Sequence, residues 1–447
     1  MSQNFRNLKL TALSGEFFYI YGMKKVFAIA GLMAVCNLSA QFKINIESAA
    51  TFTPKEVYLY TLSGSKDMLF TKAVRKDNTW QISVDKPYSG MMKLYFPEAN
   101  ASINFISENR DVKMKFDADK GKISNIQYLD QSNALMNSLQ DAQQKREYIL
   151  PALHQIKEYY PPSSNFRKAL ETEIAQLSIS AQSMATNPFV SYYQTNYAKF
   201  VDKKNASSLT HSEITNFLSN TNDLLETSSL LRPVLISYLN VNPGADLSAD
   251  VDKLLKAVNT ETPRGQTVLS ELIEIFDIYE MKDLKDKYLT EAKNLKCTIN
   301  ERLSKTIATN VNTEVGAQFS NYVFNQATNT TAKSVYDVKA DRKVIVFWAS
   351  TCSHCEADLP KLIEKYNAMK AKKIEIIAFS LDNDRDAYNN KVKSLPWIND
   401  TELKGWYSTV AEKYNVHATP TYFVLDASNK IIAKPSHAAD VISYLSL

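Results

Sequence analysis

Two cysteines separated by two residues are the strongest candidates for chemistry in this chain. Cys352 and Cys355 follow the apolar segment 343–348 and precede a segment with helical periodicity. The unpaired N–H groups of a first helical turn, with the positive end of the helix dipole, stabilise a thiolate. The spacing also lets Cys355 attack a mixed disulfide formed at Cys352. The pair therefore predicts thiol–disulfide exchange, in which Cys352 is the nucleophile and Cys355 is the resolving thiol of a redox-active disulfide.

A CxxC pair can also be half of a zinc site. The second half is missing from the sequence, because Cys36 and Cys297 are distant and the histidines form no HxxxH or similar pair. The histidines are His154, His211, His354, His417 and His437. We therefore predict no metal. We interpret Cys297 as a buried, inert residue on a helix, and the alternative is a second thiol that exchanges with Cys352. The scattered glycines form no phosphate-binding GxGxxG or GxxxxGK loop, and we predict no cofactor.

The elements around the cysteine pair indicate an α/β domain. Strands and helices alternate from about residue 311, as in a mixed sheet covered by helices. The predicted order is a strand at 343–348, a helix from 352 toward 369, a strand at 374–381, helices near 384–394 and 403–414, a hairpin of 422–426 with 430–433, and a helix at 438–446. The first strand thus delivers both cysteines to the first turn of the first helix.

The preceding chain divides into two further regions. Residues 41–129 contain short runs of alternating apolar and polar residues between turn residues, which predict a small antiparallel β-sandwich. Residues 130–310 change to a helical period that proline and glycine interrupt, which predicts several helices. The fold class is therefore multidomain: an all-β sandwich, an all-α region and a C-terminal α/β domain at 311–447.

The N-terminus has the pattern of an export signal. Residues 23–40 combine a basic start, a ten-residue apolar run and small residues before Gln41, which is typical of a secretory signal peptide. Residues 1–22 are interpreted as an extension upstream of the true start at Met23. Val35 stands before Cys36 where a lipoprotein signal has a small residue, so we predict no lipid anchor. Export predicts a location in the periplasm or cell envelope, where disulfides persist.

Charge excludes some classes of partner. Lys and Arg total 52 against 48 Asp and Glu, which gives a net charge of +4. A balance this even does not predict nucleic acid or an anionic membrane surface as a partner.

The C-terminal motifs resemble a known family. Phe347-Trp348-Ala349 followed by CxxC, Pro360 five residues later, and Thr419-Pro420 ahead of a strand are similar to the TlpA/ResA-like, redoxin-related thiol-disulfide oxidoreductases of the thioredoxin superfamily. The resemblance covers 311–447 and implies a thioredoxin-like fold with a cis-proline at Pro420. It also implies that Trp348, Thr419 and Pro420 contact the substrate.

The sequence departs from the family pattern at several positions. Thioredoxin's buried acid is replaced by Val346, and the tryptophan before the first cysteine is replaced by Thr351. Asp358 stands where ResA-type proteins carry glutamate. If it faces the cysteines it accepts the Cys355 proton as a general base, and if it faces solvent it only complements the helix dipole.

His354 leaves the direction of electron flow open. The resemblance implies a reductase, but an imidazolium at His354 would lower the pKa of Cys352 and make the disulfide more oxidising, as in an oxidase or isomerase. The other interpretation of His354 is a solvated residue on an exposed turn.

The resemblance implies protein thiols and disulfides as partners, with an upstream membrane electron donor. The N-terminal regions could add homo-oligomerisation or client presentation. One alternative function is an envelope binding or structural protein with an accessory redox domain. Another is a thiol peroxidase, although Phe347 and Trp348 stand where the PxxxTxxC motif needs its proline.

Overall fold

A computed structural model describes residues 42–119, 121–178, 187–202, 208–241 and 246–447. Within these ranges a β-rich region is followed by a helical region and then by an α/β region. The signal peptide predicted at 23–40, with Cys36, and the extension predicted at 1–22 lie outside the described residues. In the described part of the chain, no helix is both long and apolar enough to cross a membrane.

The β-region consists of two four-stranded sheets with the strand orders β4-β1-β7-β8 and β3-β2-β5-β6. Its strands are β1 (Phe42–Ser48), β2 (Glu56–Ser63), β3 (Lys66–Val74), β4 (Thr79–Val84), β5 (Ser89–Phe96), β6 (Ala101–Glu108), β7 (Val112–Asp119) and β8 (Lys122–Tyr128). Residues of both sheets bury one apolar core, in which the ring of Phe52 packs edge-on against Trp80, Phe96 and Phe116. The predicted β-rich region is confirmed.

Two details of the β-region differ from the prediction. β1 pairs with β7 in parallel, with Ile44 opposite Val112, so the region is not wholly antiparallel. These strands are distant in sequence and no hairpin fixes their relative direction. The sequence also did not predict β8, because its residues are exposed or half-buried and lack a clear apolar alternation.

One long buried helix, α9 (Pro263–Ile278), lies at the centre of the helical region. Its helices are α1 (Gln131–Gln144), α2 (Leu150–Lys157), α3 (Asn165–Ser178), α4 (Pro188–Phe200), α5 (His211–Asn220), α6 (Leu224–Thr227), α7 (Leu231–Leu239), α8 (Leu247–Val258), α9 (Pro263–Ile278), α10 (Lys282–Lys293) and α11 (Glu301–Asn312), with a π-helical turn at Lys145–Ile149. Thr262 caps α9 by accepting the N–H of Gly265, and Pro263 occupies the first turn. The predicted helical region is confirmed.

A buried ionic cluster joins α9 to its neighbours. Glu271 and Glu274 of α9 both pair with Arg302 of α11, and Arg232 of α7 pairs with the same two carboxylates. The β-region contributes Ser65, whose N–H and hydroxyl both donate to Glu271. The cluster therefore connects the β2–β3 turn to the centre of the helical region.

The α/β region is a five-stranded mixed sheet with the order β11-β10-β9-β12-β13. Its elements are β9 (Arg342–Trp348), α12 (Ser353–Ala371), β10 (Ile374–Ser380), α13 (Arg385–Val392), β11 (Ile398–Thr401), α14 (Thr409–Lys413), β12 (Thr421–Asp426), β13 (Ile431–Ala433) and α15 (Ala438–Tyr444). β9, β10 and β11 are parallel, whereas β12 is antiparallel to both of its neighbours. Apolar cores cover both faces of the sheet, which confirms the predicted helix-covered mixed sheet.

The segment 398–414 differs from the helix predicted near 403–414. It forms β11, a 3-10 turn at Gly405–Tyr407 and the short helix α14. β11 is fully buried although its sequence is polar, because the Asp400 carboxylate accepts the N–H groups of Asn325 and Gln326. A buried strand stabilised by such tertiary hydrogen bonds has no apolar pattern to predict it.

Cys297 does not lie on a helix as predicted. It is in the bend between α10 and α11 and is half-buried. Its Sγ accepts a hydrogen bond from the Gln266 side-chain amide at 3.3 Å. The helix α10 ends at its C-cap Asn294, and Asn300 caps the start of α11.

Candidate functional site

Cys352 lies at the junction of β9 and α12. The apolar residues of β9 are buried in the centre of the sheet, and Cys352 is the N-cap of α12. Its Sγ accepts the N–H of Cys355 at 3.3 Å and lies 3.1 Å from the carbonyl oxygen of Thr419, to which the thiol donates. The nucleophile predicted from the CxxC motif is therefore half-exposed and placed between a helix N-terminus and the loop before β12.

The surroundings of Cys352 favour its thiolate. Burial opposes ionisation, but hydrogen bonds from the Thr419 side chain, from Cys355 and from the His354 N–H outweigh it and lower the pKa of Cys352. A thiol with a lowered pKa is ionised, and therefore nucleophilic, at a lower pH than an ordinary cysteine.

Cys355 has the opposite environment. Only 1% of its surface is exposed, in the core between α12 and the sheet. Burial, with the neighbouring charge of Cys352, raises the pKa of Cys355 to about 12. The structure thus separates one reactive, accessible sulfur from one protonated, inaccessible sulfur.

The loop before β12 completes the edge of the site. The Thr419–Pro420 peptide bond is cis, as the family resemblance implied. Thr419 and Pro420 are half-buried, and Thr421 begins β12 opposite Phe347. Because the Thr419 carbonyl contacts the Cys352 sulfur, a molecule bound at Cys352 would also meet this loop.

Asp358 faces the protein interior and not solvent. Its carboxylate accepts hydrogen bonds from the Tyr422 hydroxyl at 3.3 Å, the Ala438 N–H at 3.1 Å and the Lys361 ammonium at 2.9 Å. Burial opposes its ionisation, but these donors outweigh that effect and lower the pKa of Asp358. Asp358 is thus an ionised, buried carboxylate one helical turn beyond Cys355.

The other two predicted site residues occupy contrasting positions. The His354 side chain is exposed on the first turn of α12, and its backbone N–H is directed toward the Cys352 sulfur. Trp348 is fully buried and packs against Tyr388, so the predicted contact of Trp348 with substrate is corrected. Its ring lies in the core on the α12 face of the sheet and supports the cysteine loop from below.

Two further residues belong to the site and were not predicted from the sequence. Asp382, just after β10, accepts hydrogen bonds from the N–H and hydroxyl of Ser350 at 2.9 and 2.7 Å. Tyr422 places its hydroxyl on Asp358. Neither residue belongs to a short motif, although each stands at the end of an apolar strand, where polar side chains of an α/β sheet gather.

Among the residues that the structure describes, no three histidine, cysteine, aspartate or glutamate side chains are grouped so that they could hold a metal ion. Cys352 and Cys355 are not joined by a disulfide in the structure.

Comparison with known proteins supports this interpretation of the site. Residues 342–431 match the family model described as Thioredoxin-like. The chain is 26% identical over 121 residues to thiol-disulfide oxidoreductase ResA of Bacillus subtilis, covering 26% of this chain and 64% of that protein, which is less than two thirds of its length. It is 30% identical over 122 residues to ResA of Bacillus thuringiensis subsp. konkukian, covering 27% of this chain and 68% of the relative.

A solved structure also resembles the α/β region. It is a domain of a possible thiol-disulfide isomerase from Cytophaga hutchinsonii, with 27% identity, a TM-score of 0.27, and coverage of 30% of this chain and 91% of that one. The residues of this chain that match the Thioredoxin-like model, 342–431, include both cysteines and the Thr419–Pro420 loop of the site. The chain therefore belongs to the ResA-like thiol-disulfide oxidoreductases of the thioredoxin superfamily.

Proposed function

We propose that this protein is an exported oxidoreductase that exchanges disulfides with protein clients through Cys352 and Cys355. The observation that carries the proposal is the asymmetry of the two thiols. Cys352 is half-exposed with a lowered pKa, whereas Cys355 is buried with a pKa raised to about 12. A client can therefore reach only the sulfur that is ready to attack.

In the reductive direction the reaction has two steps. The Cys352 thiolate attacks a client disulfide, which forms a mixed disulfide and releases one client thiolate. Cys355 then loses its proton and attacks the Cys352 sulfur, which breaks the mixed disulfide and releases the second client thiolate. The client disulfide gains two electrons and the Cys352–Cys355 pair loses them, so an external thiol must reduce the pair again.

Thr419 and Pro420 bind the client in this proposal, because they lie beside the Cys352 sulfur. His354 contributes through its N–H, which helps to lower the pKa of Cys352. The relatives are named thiol-disulfide oxidoreductases, and in this proposal the protein is a reductase in the periplasm or cell envelope that a membrane electron donor supplies. His354 beside the second cysteine keeps the oxidase and isomerase directions as the alternatives.

The N-terminal regions have a separate role in this proposal. The β-region, as a sandwich, and the helical region present clients to the redox domain or join two copies of the chain. In the envelope-protein alternative these regions would carry the function and the thiol pair would be accessory. A thiol peroxidase is disfavoured because the motif around Cys352 lacks the required proline.

Trapping of clients tests the proposal. Cys355→Ser blocks the second step, so a mixed disulfide at Cys352 should accumulate on proteins of an envelope extract and disappear when dithiothreitol is added. Cys352→Ser is the matched control that lacks the nucleophile, and Cys297→Ser is the control for the distant thiol. We expect insulin reduction by the wild type and by Cys297→Ser but by neither variant of the pair. Equal trapping by Cys352→Ser and Cys355→Ser would overturn the assigned roles.

A further inference from the structure

Tyr422 lies in the same buried core as Cys355. On β12 its Cα is paired with that of Val346 on β9, so the two side chains emerge on the same face of the sheet. Val346 stands where thioredoxin itself carries a buried acid. Tyr422 and Cys355 both belong to the core on this face, so a phenol hydroxyl enters the space that the missing acid would serve.

The Tyr422 hydroxyl has a defined partner there. Tyr422 is 1% exposed, and its hydroxyl donates to Oδ2 of Asp358 at 3.3 Å. Asp358 is three residues after Cys355 on α12, and residues at this spacing lie on the same helix face. Both residues are buried, so Cys355, Asp358 and Tyr422 form one buried group of titratable side chains.

The electrostatics of this group agree with its geometry. Burial, then the negative charge of Asp358, and then the charges of Cys355 and Cys352, raise the pKa of Tyr422. Tyr422 therefore remains protonated and can only donate to the carboxylate.

We propose that Tyr422 is a positioning residue for the resolving step: its hydroxyl orients the Asp358 carboxylate and keeps it ionised, so that Asp358 accepts the proton of Cys355. This inference rests on the proposed thiol–disulfide exchange. During resolution the Cys355 S–H bond breaks, its proton passes to Asp358, and the Cys355 sulfur bonds to Cys352 as the client thiolate leaves. The leaving thiolate then recovers a proton from solvent or from Asp358.

Other charged groups face the Asp358 carboxylate and enter its pH dependence. On α12 these are Lys361 and the Cys355 thiol, and on β12 the group is Tyr422. At the start of α15, His437 has its Nδ1 4.0 Å from Oδ2 of Asp358, beside the Ala438 N–H. Because His437 can carry charge when protonated, its contribution must be separated from that of Tyr422.

The resolving step is measurable on its own. Reduced protein reacts with 5,5′-dithiobis(2-nitrobenzoate) in two phases, the first being attack by Cys352 and the second the release of the remaining thionitrobenzoate when Cys355 closes the disulfide. Stopped-flow absorbance gives both rates as a function of pH. Tyr422→Phe removes only the hydroxyl. Tyr388→Phe is a matched control, because Tyr388 lies in the same core and its hydroxyl has no hydrogen-bond partner within the described residues.

We expect Tyr422→Phe to shift the acid limb in the pH profile of the second-phase rate upward by roughly one pH unit. The reason is that a carboxylate that loses a hydrogen-bond donor has a higher pKa. The second phase should then slow several-fold below about pH 4, while the first phase changes less than about twofold. Tyr388→Phe should keep the wild-type profile, and Tyr422→Phe should cause the same shift in a His437→Asn background as in the wild type. In an Asp358→Asn background Tyr422→Phe should have no further effect, whereas a merely structural loss would add to it.

Two results overturn the inference while the proposed function stands: a wild-type profile in Tyr422→Phe, or additive effects in the Asp358→Asn background. If Tyr422→Phe does not fold, the pH profile of Asp358→Asn tests the inference instead. An acid limb that this variant leaves unchanged would exclude Asp358 as the proton acceptor. Failure of the proposed function gives a different result, since the wild type would then show no second phase at any pH.

Discussion

Asp382 shows how a single buried carboxylate fixes the cysteine loop. It accepts hydrogen bonds from the N–H and the hydroxyl of Ser350, two residues before Cys352, and from the hydroxyl of Ser380 at 2.6 Å. Hydrogen bonds to a charged acceptor are about twice as strong as those between neutral groups. The loop therefore reaches the N-cap of α12 in one conformation, which places the Cys352 sulfur against the first-turn N–H groups.

Replacing this carboxylate should weaken the nucleophile. Asp382→Asn lacks the charge and one acceptor atom, so we expect a loss of about 1–3 kcal/mol in the free energy of unfolding and a several-fold slower alkylation of Cys352 by iodoacetamide near neutral pH. Ser380→Ala removes the two hydrogen bonds between the Ser380 hydroxyl and Asp382, one to its carboxylate and one from its N–H, but leaves Ser350 bound. This variant should react at nearly the wild-type rate. Equal alkylation rates in all three proteins would show that Asp382 does not position the loop.

At the level of residues, the sequence predicted the features that depend on positions close together in the chain. Cys352 and Cys355 were predicted because their chemistry depends on two positions within one helical turn. Asp358 was identified, but its orientation was left open, since the sequence does not show which face of α12 packs on β12. Tyr422 and Asp382 act on residues 64 and 32 positions away, and such contacts exist only after the sheet has formed.

Among the elements, the β2–β3 turn depends on a glycine. Gly64 has a φ of +67°, in the left-handed region that favours glycine. Its N–H donates to the Glu226 carbonyl at 2.7 Å, and a Cβ at this position would lie 2.3 Å from Oε1 of Glu271. The turn can therefore approach the buried ionic cluster only because Gly64 has no side chain.

A side chain at this turn should separate the β-region from α9. Gly64→Ala combines the backbone cost of a positive φ, about 1–2 kcal/mol, with displacement of the Glu271 carboxylate. Gly316→Ala is the matched control, since Gly316 also has a positive φ but nothing lies within 4 Å of its added Cβ. We expect urea unfolding to show a larger loss of stability for Gly64→Ala. Equal losses in the two variants would contradict the close contact.

The predictability of the elements followed their burial patterns. The apolar strands β9 and β10 and the amphipathic helices were predictable because each encodes its own buried face. β11 was not, since Asp400 and its neighbours are buried through hydrogen bonds to a distant segment. The parallel pairing of β1 with β7 was equally hidden, because strand direction depends on the connections between them and not on the residues of either strand.

Across the whole molecule, the ionic cluster on α9 should make stability depend on pH. Burial opposes ionisation of Glu274, but its ion pairs, chiefly with Arg302, outweigh this effect and lower its pKa. A carboxyl with a lowered folded-state pKa contributes stability above its unfolded pKa of about 4.3. That contribution is lost as the pH falls through the lowered value.

Acid denaturation tests this dependence. The free energy of unfolding of the wild type should fall steeply below about pH 5, and Glu274→Gln should show a shallower slope, together with lower stability at neutral pH because Arg302 loses part of its charge compensation. Glu56→Gln is the control, since the Glu56–Lys72 pair is largely exposed and such pairs contribute about 0–1 kcal/mol. An acid slope that Glu274→Gln leaves unchanged would remove the cluster as its source.

The two N-terminal regions hold the same short part of the redox domain. At one end, Tyr95 of the β-region stacks on Tyr407 with ring centroids 4.0 Å apart. At the other end, the helical region binds Asn415 through Asp277 at 2.7 Å and pairs Lys305 with Glu412. Segment 404–419 runs from these contacts directly to the cis-proline loop.

These contacts from both N-terminal regions limit how the redox domain can be transferred to another protein. A chimera that receives 404–419 from a relative without these N-terminal regions would lose both anchoring contacts, even if every residue of the CxxC motif were kept. Conversely, the redox domain cut free of residues 42–310 would expose the ring of Tyr407 and leave Asn415 and Glu412 without their partners. A functional graft therefore has to include both the segment and the surfaces that hold it.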